Sequence, residues 1–207
     1  MPLRPTTTPT LHSVQPRQHP RDLLGLQQQL GDPDPAQRRL AARDLAAHPQ
    51  AALALGQALA VETDAAVRQA LFTSLAAHAS DAAVQALLPL LRSEEPSLRN
   101  GAIEALAAMP QAVAPCVDQM LRDADPDVRI FTVNLLGELR HPGVPGWLVQ
   151  VLLHDSHVNV VAAALEVLAE VGSAAELPAL RAVRQRYDDD AFIQFAADLA
   201  ISRIEAA

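Results

Sequence analysis

Hydrophobic residues recur along most of the chain at spacings of three and four positions, which is the period of an amphipathic α-helix. Leu23, Leu26 and Leu30 form the first such stripe, and a polar stretch rich in Asp and Pro separates it from the next. The alternation predicts helix pairs with first helices at 21–30, 50–61, 81–92, 111–122, 143–154 and 174–187. It predicts second helices at 35–47, 65–77, 96–108, 127–140, 158–171 and 189–205.

The polar stretches carry an internal repeat. Four arginines recur at spacings of 30, 31 and 30 residues: Arg38, Arg68, Arg99 and Arg129. Six residues before each arginine lies an acid or a serine: Asp32, Glu62, Ser93 and Asp123. A fifth copy begins at Asp155 and has Val161 in the place of the arginine. A period of this length is the signature of a repeat architecture.

The repeat predicts an all-α fold. One helix pair cannot bury its apolar face alone, so neighbouring pairs must stack. We therefore expect a right-handed α-solenoid of about six stacked two-helix repeats over residues 21–207. Residues 1–20 contain five prolines and no acidic residue, and they predict a disordered, Pro-rich N-terminal arm.

The amino-acid composition and charge of the chain exclude several classes of protein and of binding partner. The 16 basic residues are all arginine, and 24 acidic residues give a net charge of −8. This balance argues against a nucleic-acid partner. No apolar run is long enough to span a membrane, and the single cysteine, Cys116, excludes a disulfide scaffold. A chain without lysine is typical of a protein encoded by a GC-rich bacterial genome, so we expect a bacterial, cytoplasmic protein. We also expect it to be acidic and monomeric.

The repeat resembles the HEAT-like repeats of the short bilin-lyase type. That family places proline in the first helix, an acid in the turn, then Val–Arg and Leu–Gly in the second helix. The matching residues here are Pro115, Pro145, Pro178, Val67-Arg68, Leu98-Arg99, Val128-Arg129 and Leu136-Gly137. The resemblance covers residues 21–205. It implies that first helices line the convex face of the solenoid and second helices the concave face.

The resemblance also implies a structural ladder, in which each turn acid accepts hydrogen bonds from an arginine of its own or the adjacent repeat. Such bonds satisfy N–H groups at a helix start and neutralise a partly buried guanidinium. Ser93 and Val161 interrupt the pattern. The implied ladder residues are Asp32, Arg38, Glu62, Arg68, Arg99, Asp123, Arg129 and Asp155.

Candidate catalytic chemistry is sparse. The segment from His154 to His157 contains two imidazoles and the Asp155 carboxylate, but no second cluster completes a metal shell. No histidine is followed by glutamate, although HEAT-like deoxyhypusine hydroxylases bind iron through His-Glu dipeptides. Catalytic triads and glycine-rich phosphate loops are also absent from the sequence. We therefore expect no catalytic residue, no cofactor and no metal site, and the sequence favours a protein that is not an enzyme.

A candidate partner-binding patch lies on the second helix of the fourth repeat. Counted from Arg129, the positions expected to face away from the core carry bulky apolar residues where other repeats have small or polar ones. Alternatively, the assumed register is wrong by one residue and these side chains pack inside. The predicted patch consists of Ile130, Phe131, Asn134 and Leu135, with shallow walls from Gly101, Ala105, Ala163 and Val167.

Two functions follow from this pattern. The first is a non-enzymatic scaffold or adaptor that binds a protein partner on the concave face. The alternative, implied by the bilin-lyase resemblance, is an accessory subunit, lyase or chaperone acting on a bilin-like prosthetic-group protein.

Overall fold

The computed structural model describes residues 19–206, which form helices and turns without any strand. The first helices of the successive pairs are α1 (Leu23–Gln29), α3 (Ala52–Val61), α5 (Asp81–Leu87), α7 with α8 (Pro110–Val113 and Val117–Met120), α10 (Val144–His154) and α12 (Leu177–Arg186). The second helices are α2 (Pro35–Asp44), α4 (Ala65–His78), α6 (Pro96–Ala107), α9 (Pro126–Glu138), α11 (Val158–Val171) and α13 (Ala191–Ala206).

Proline interrupts two of the first helices that the sequence predicts to be continuous. Leu88–Arg92 and Ala114–Cys116 are 3₁₀ segments, and they contain Pro89 and Pro115 respectively. Because proline has no N–H to donate, the regular α-helical hydrogen bond is lost and the chain tightens locally. These two first helices therefore each consist of α-helical and 3₁₀ parts.

Turn acids fix where the second helices begin. The Asp34 and Asp125 carboxylates accept hydrogen bonds at 2.9 Å from the backbone N–H groups of Ala36 and Asp127. In both cases the first helical residue is a proline, whose missing N–H would have no partner there in any case. This capping chemistry explains why Asp-Pro marks the join within the first and the fourth helix pair.

The helix pairs stack into two layers with the core between them. Along the second-helix layer, α2 packs on α4, α4 on α6, α6 on α9, α9 on α11, and α11 on α13. The outer layer is formed by contacts such as α3 with α5 and α10 with α12. One fully buried leucine recurs in the core of five repeats: Leu45, Leu75, Leu106, Leu136 and Leu168. The all-α repeat solenoid of about six helix pairs is therefore confirmed.

The chain just before α1 passes very close to the first turn of this helix. A Cβ atom on Gly25 would lie 2.3 Å from the carbonyl oxygen of Pro20, so only glycine allows this approach. The rest of the predicted N-terminal arm, residues 1–18, lies outside the described residues. Within residues 19–206, no helix is both long enough and apolar enough to cross a membrane.

Candidate functional site

Two arginines join the turn of one repeat to the turn of the next. Arg38 donates from Nε and Nη2 to the Glu62 carboxylate at 2.7 and 2.8 Å, and from Nη1 to the Asp32 carbonyl oxygen at 2.9 Å. Arg129 repeats this arrangement with the Asp155 carboxylate, at 2.7 and 3.1 Å. These paired bonds hold neighbouring repeats in a fixed orientation.

The acids of these pairs also organise the turns that they occupy. Glu62 accepts hydrogen bonds from the backbone N–H groups of Thr63 and Asp64, both at 2.9 Å. The hydrogen bond from Arg38, assisted by these N–H groups, lowers the pKa of Glu62 to about 2. Burial opposes ionisation of Asp155, but the bonds from Arg129 and the His157 N–H outweigh it, so the pKa of Asp155 is also lowered.

The ladder changes partners around the third repeat. Arg68 pairs with Glu95, because Ser93 stands where the turn acid would be. Asp123 pairs with Arg92, a residue that the repeat pattern did not include. Arg99 donates from Nη1 to the Ser93 carbonyl oxygen at 2.9 Å, and its Nε is buried without a hydrogen-bond partner among the described residues. The expectation that Arg99 pairs with a turn acid is therefore wrong.

The predicted partner-binding patch is only partly exposed. Leu135 is 0% exposed and Ala105 is buried, so neither can contact a partner. The sixth position after Arg68, Arg99 and Arg129 is buried in each case. Ser74 occupies the same position in its repeat and donates to the Ala42 carbonyl oxygen of the previous repeat at 2.8 Å. The prediction that Leu135 and Ala105 face outward is therefore wrong.

Three other residues of the predicted patch also take part in packing between repeats. A Cβ atom on Gly101 would lie 2.4 Å from the Phe72 ring, so only glycine leaves room for the ring at this position. Val167 lies close to Gly137 of α9, and Phe131 is half-buried with the Arg99 guanidinium over its ring. Of the predicted residues, Ile130, Asn134 and Ala163 still line an open surface.

That open surface is a groove across α9, α11 and α13, with a cavity volume of 640 Å³. On α13, Phe192, Phe195 and Leu199 are 62%, 67% and 43% exposed. Opposite them, α11 contributes small apolar side chains at Ala162, Ala163 and Ala169, with Glu166 and Glu170 beside them. We call this surface the second-helix groove.

Sequence reasoning missed the aromatic side of the second-helix groove. The register was counted from the repeated arginines, and the sixth repeat has no such marker. A signal was nevertheless present in α13, because two apolar stripes run along it. Ile193, Ala197, Ala200 and Ile204 are buried, whereas Phe192, Phe195 and Leu199 form a second stripe with the same helical spacing. Because one apolar stripe is enough to bury a helix against the core, a second stripe at helical spacing indicates an exposed apolar surface.

The histidine segment after α10 lies beside a different cavity, of 570 Å³, which is lined mainly by charged and polar residues. His154 uses Nδ1 to contact the carbonyl oxygen of Gln150 at 3.0 Å, and Asp155 is held by Arg129. Across residues 19–206, no cluster of three or more His, Cys, Asp or Glu side chains is arranged to hold a metal ion. His154 and Asp155 are therefore engaged in the turn and the ladder.

Several solved structures are similar to this chain at low sequence identity. Human deoxyhypusine hydroxylase is 16% identical, with a TM-score of 0.48 over 89% of this chain and 84% of that chain. A HEAT-like repeats protein from Thermococcus onnurineus is 17% identical, with a TM-score of 0.47 over 89% and 87%. The complex of CpcE and CpcF of phycocyanin lyase from Nostoc sp. contains a chain that is 17% identical, with a TM-score of 0.37 over 96% and 100%.

The sequence itself places the chain in a family. No curated protein sequence matches it. The family described as HEAT repeats matches residues 23–107 and 113–202, which include parts of all six helix pairs. The protein therefore belongs to the HEAT-repeat family.

Proposed function

We propose that this protein is a non-enzymatic interaction scaffold, which binds a protein partner in the second-helix groove. The observation that carries the proposal is the exposed stripe of Phe192, Phe195 and Leu199 beside the small residues of α11. The chain has only four phenylalanines, and two of them are more than half exposed in this one groove. Contiguous exposed apolar surface of this kind marks interaction sites on soluble proteins.

The remaining properties of the surface agree with protein binding. Aromatic side chains that fill pockets supply a large share of the energy of protein interfaces. The rim carries polar groups, among them Asn134, Glu166 and Arg203, as interfaces usually do. The acidic, lysine-free composition supports a bacterial cytoplasmic monomer whose partner is a protein rather than a nucleic acid.

A matched pair of variants tests the proposal. Phe195→Ser removes an anchor of the groove, whereas Leu53→Ser removes a side chain that is equally exposed, at 68%, but lies on α3 of the outer layer. Tagged wild type and both variants are used to purify binding proteins from the native host. Any protein retained by the wild type is then produced separately, and its dissociation constant is measured by calorimetry.

We expect Phe195→Ser to weaken binding of the purified partner by about thirtyfold or more, which corresponds to the 2 kcal/mol of an interface anchor. Leu53→Ser should bind as the wild type does, and both variants should keep the wild-type helicity and melting temperature. Equal affinity of the wild type and Phe195→Ser would show that partners bind elsewhere.

A further inference from the structure

We infer that the occupant of the second-helix groove is a cationic amphipathic α-helix of the partner, an inference that rests on the proposed function. The floor of the groove runs across three second helices, whose axes are each separated by about 8–10 Å. An α-helix with its side chains is about 10–12 Å wide, and three to four of its turns would cross this floor. A helix laid in the groove would present apolar side chains to Phe192 and Phe195.

The charged residues on the rim of the groove indicate which charge a complementary partner carries. Glu166 and Glu170 lie one turn apart on α11, and both are exposed beside the apolar floor. Glu166 makes no hydrogen bond or ion pair within the part of the chain that the structure describes. Glu170 has Arg203 at 4.0 Å, and both of these side chains are more than half exposed. At least one carboxylate is therefore available to a cation of the partner.

The aromatic rings of the groove also favour a positively charged partner. The face of an aromatic ring attracts a cation, and a guanidinium or ammonium group between Phe195 and Glu166 would meet both attractive groups. An acidic helix would meet the uncompensated Glu166 carboxylate in the groove. A second copy of this chain would bring the same glutamates, and its net charge of −8 would repel the first copy. A basic amphipathic helix would place apolar side chains on the floor of the groove and a cation beside Glu166 on its rim.

Three labelled synthetic peptides of about 16 residues test this inference with the full-length protein. All three contain the same numbers of leucine and alanine. The first is a helix with leucine on one face and arginine at the flanking positions. The second has glutamate in place of arginine, and the third has the composition of the first in a scrambled order without an apolar face. Binding is measured by fluorescence anisotropy at about 150 mM salt, where non-specific attraction is screened.

We expect the cationic helix to bind at least about tenfold more tightly than either the acidic or the scrambled peptide. Phe195→Ser should remove this binding, and Leu53→Ser should not. The double variant Glu166→Gln and Glu170→Gln should reduce the preference for the cationic helix over the acidic one by about fivefold or more. Its unchanged melting temperature would show that the solenoid is intact, because both glutamates are exposed.

Several results would overturn the inference. If the cationic and acidic helices bind equally and Phe195→Ser weakens both, the groove binds apolar helices without regard to charge. The inference about charge is then wrong, whereas the proposed function is retained. If the scrambled peptide binds as well as the helix, the attraction is non-specific. If none binds, the occupant is not a helix of this kind. If deletion of residues 1–18 raises the affinity tenfold or more, the protein's own N-terminal segment occupies the groove.

Discussion

Arg99 stacks on Phe131, with the guanidinium carbon 4.4 Å from the centre of the ring. In the repeat register, the acid expected to hold Arg99 is Asp123, and that acid is paired with Arg92 instead. A contact between a cation and an aromatic ring thus replaces an ion pair at the joint between the third and fourth repeats. The replacement leaves the Arg99 Nε buried without a hydrogen bond inside the described region.

This exchange predicts that Arg99 is less important for stability than the other ladder arginines. Arg129→Met would leave the Asp155 carboxylate, whose side chain is 7% exposed, without its cation. Loss of one partner of a buried pair costs about 3 kcal/mol or more. Arg99→Met leaves no carboxylate unpaired and removes a buried donor that has no acceptor, so we expect a loss of about 1 kcal/mol. Urea unfolding of both variants measures the difference, and equal losses would contradict it.

The second prediction concerns acid stability. The pKa of Glu62 is about 2 in the folded protein and its ordinary value is 4.5, so its ionised form stabilises the fold. This contribution is complete above pH 4.5 and is lost as the pH falls from 4.5 towards 2. Glu62→Gln should therefore be less stable than the wild type at neutral pH, and the gap should narrow across that window. Chemical unfolding between pH 7 and pH 2 measures the free energy of both proteins.

The exposed residue Glu138 provides the control for this experiment. Glu138→Gln should have the wild-type free energy of unfolding at neutral pH, because its carboxylate has no cation held against it within residues 19–206. A constant difference between Glu62→Gln and the wild type from pH 7 to pH 2 would mean that the ion pair with Arg38 does not contribute through the charge of Glu62.

The third prediction tests the corrected register of the second helices. Leu135→Ala removes a fully buried side chain between α9 and its neighbours, and should lower the free energy of unfolding by about 2–5 kcal/mol. Leu199→Ala removes the same atoms from a side chain that is 43% exposed in the groove, and should cost less than about 1.5 kcal/mol. If Leu135→Ala proved harmless, Leu135 would face solvent as the sequence had suggested.

The repeat and its helices could be predicted from the sequence because the turn chemistry is local. Asp34 and Asp125 cap the helices that begin at Pro35 and Pro126, and the buried leucines after each arginine follow from the helical period. The boundaries of the second helices agree with the prediction to within about three residues. The all-α solenoid therefore required no information beyond the spacing of these residues.

The candidate site could not be predicted in the same way, because it depends on contacts between repeats. Whether Leu135 faces solvent is decided by how closely α9 approaches the adjacent second helices, and a repeat pattern contains no such distance. The change of partner at Asp123 likewise depends on Arg92, which lies outside the repeated motif. Phe192 and Phe195 became visible as a surface only when α13 was placed beside α11.

The last prediction concerns how damage in one repeat spreads through the solenoid. Leu106 in α6 and Leu180 in α12 are both fully buried, so replacement by alanine removes the same atoms from the same degree of burial. Leu106 lies in the middle of the array, and its loss weakens contacts with repeats on both sides. Leu180 lies in the last repeat, which can unfold locally while the others remain folded.

We therefore expect Leu106→Ala to lower the free energy of global unfolding by about 2–5 kcal/mol, and Leu180→Ala to lower it by less. Hydrogen exchange should instead show faster exchange confined to α12 and α13 in the Leu180→Ala variant. Because α13 supplies Phe192 and Phe195, this variant should also lose affinity in the groove while its first four repeats remain protected. Equal global losses with uniform exchange would show a single cooperative core, in which the groove cannot be weakened without unfolding the whole protein.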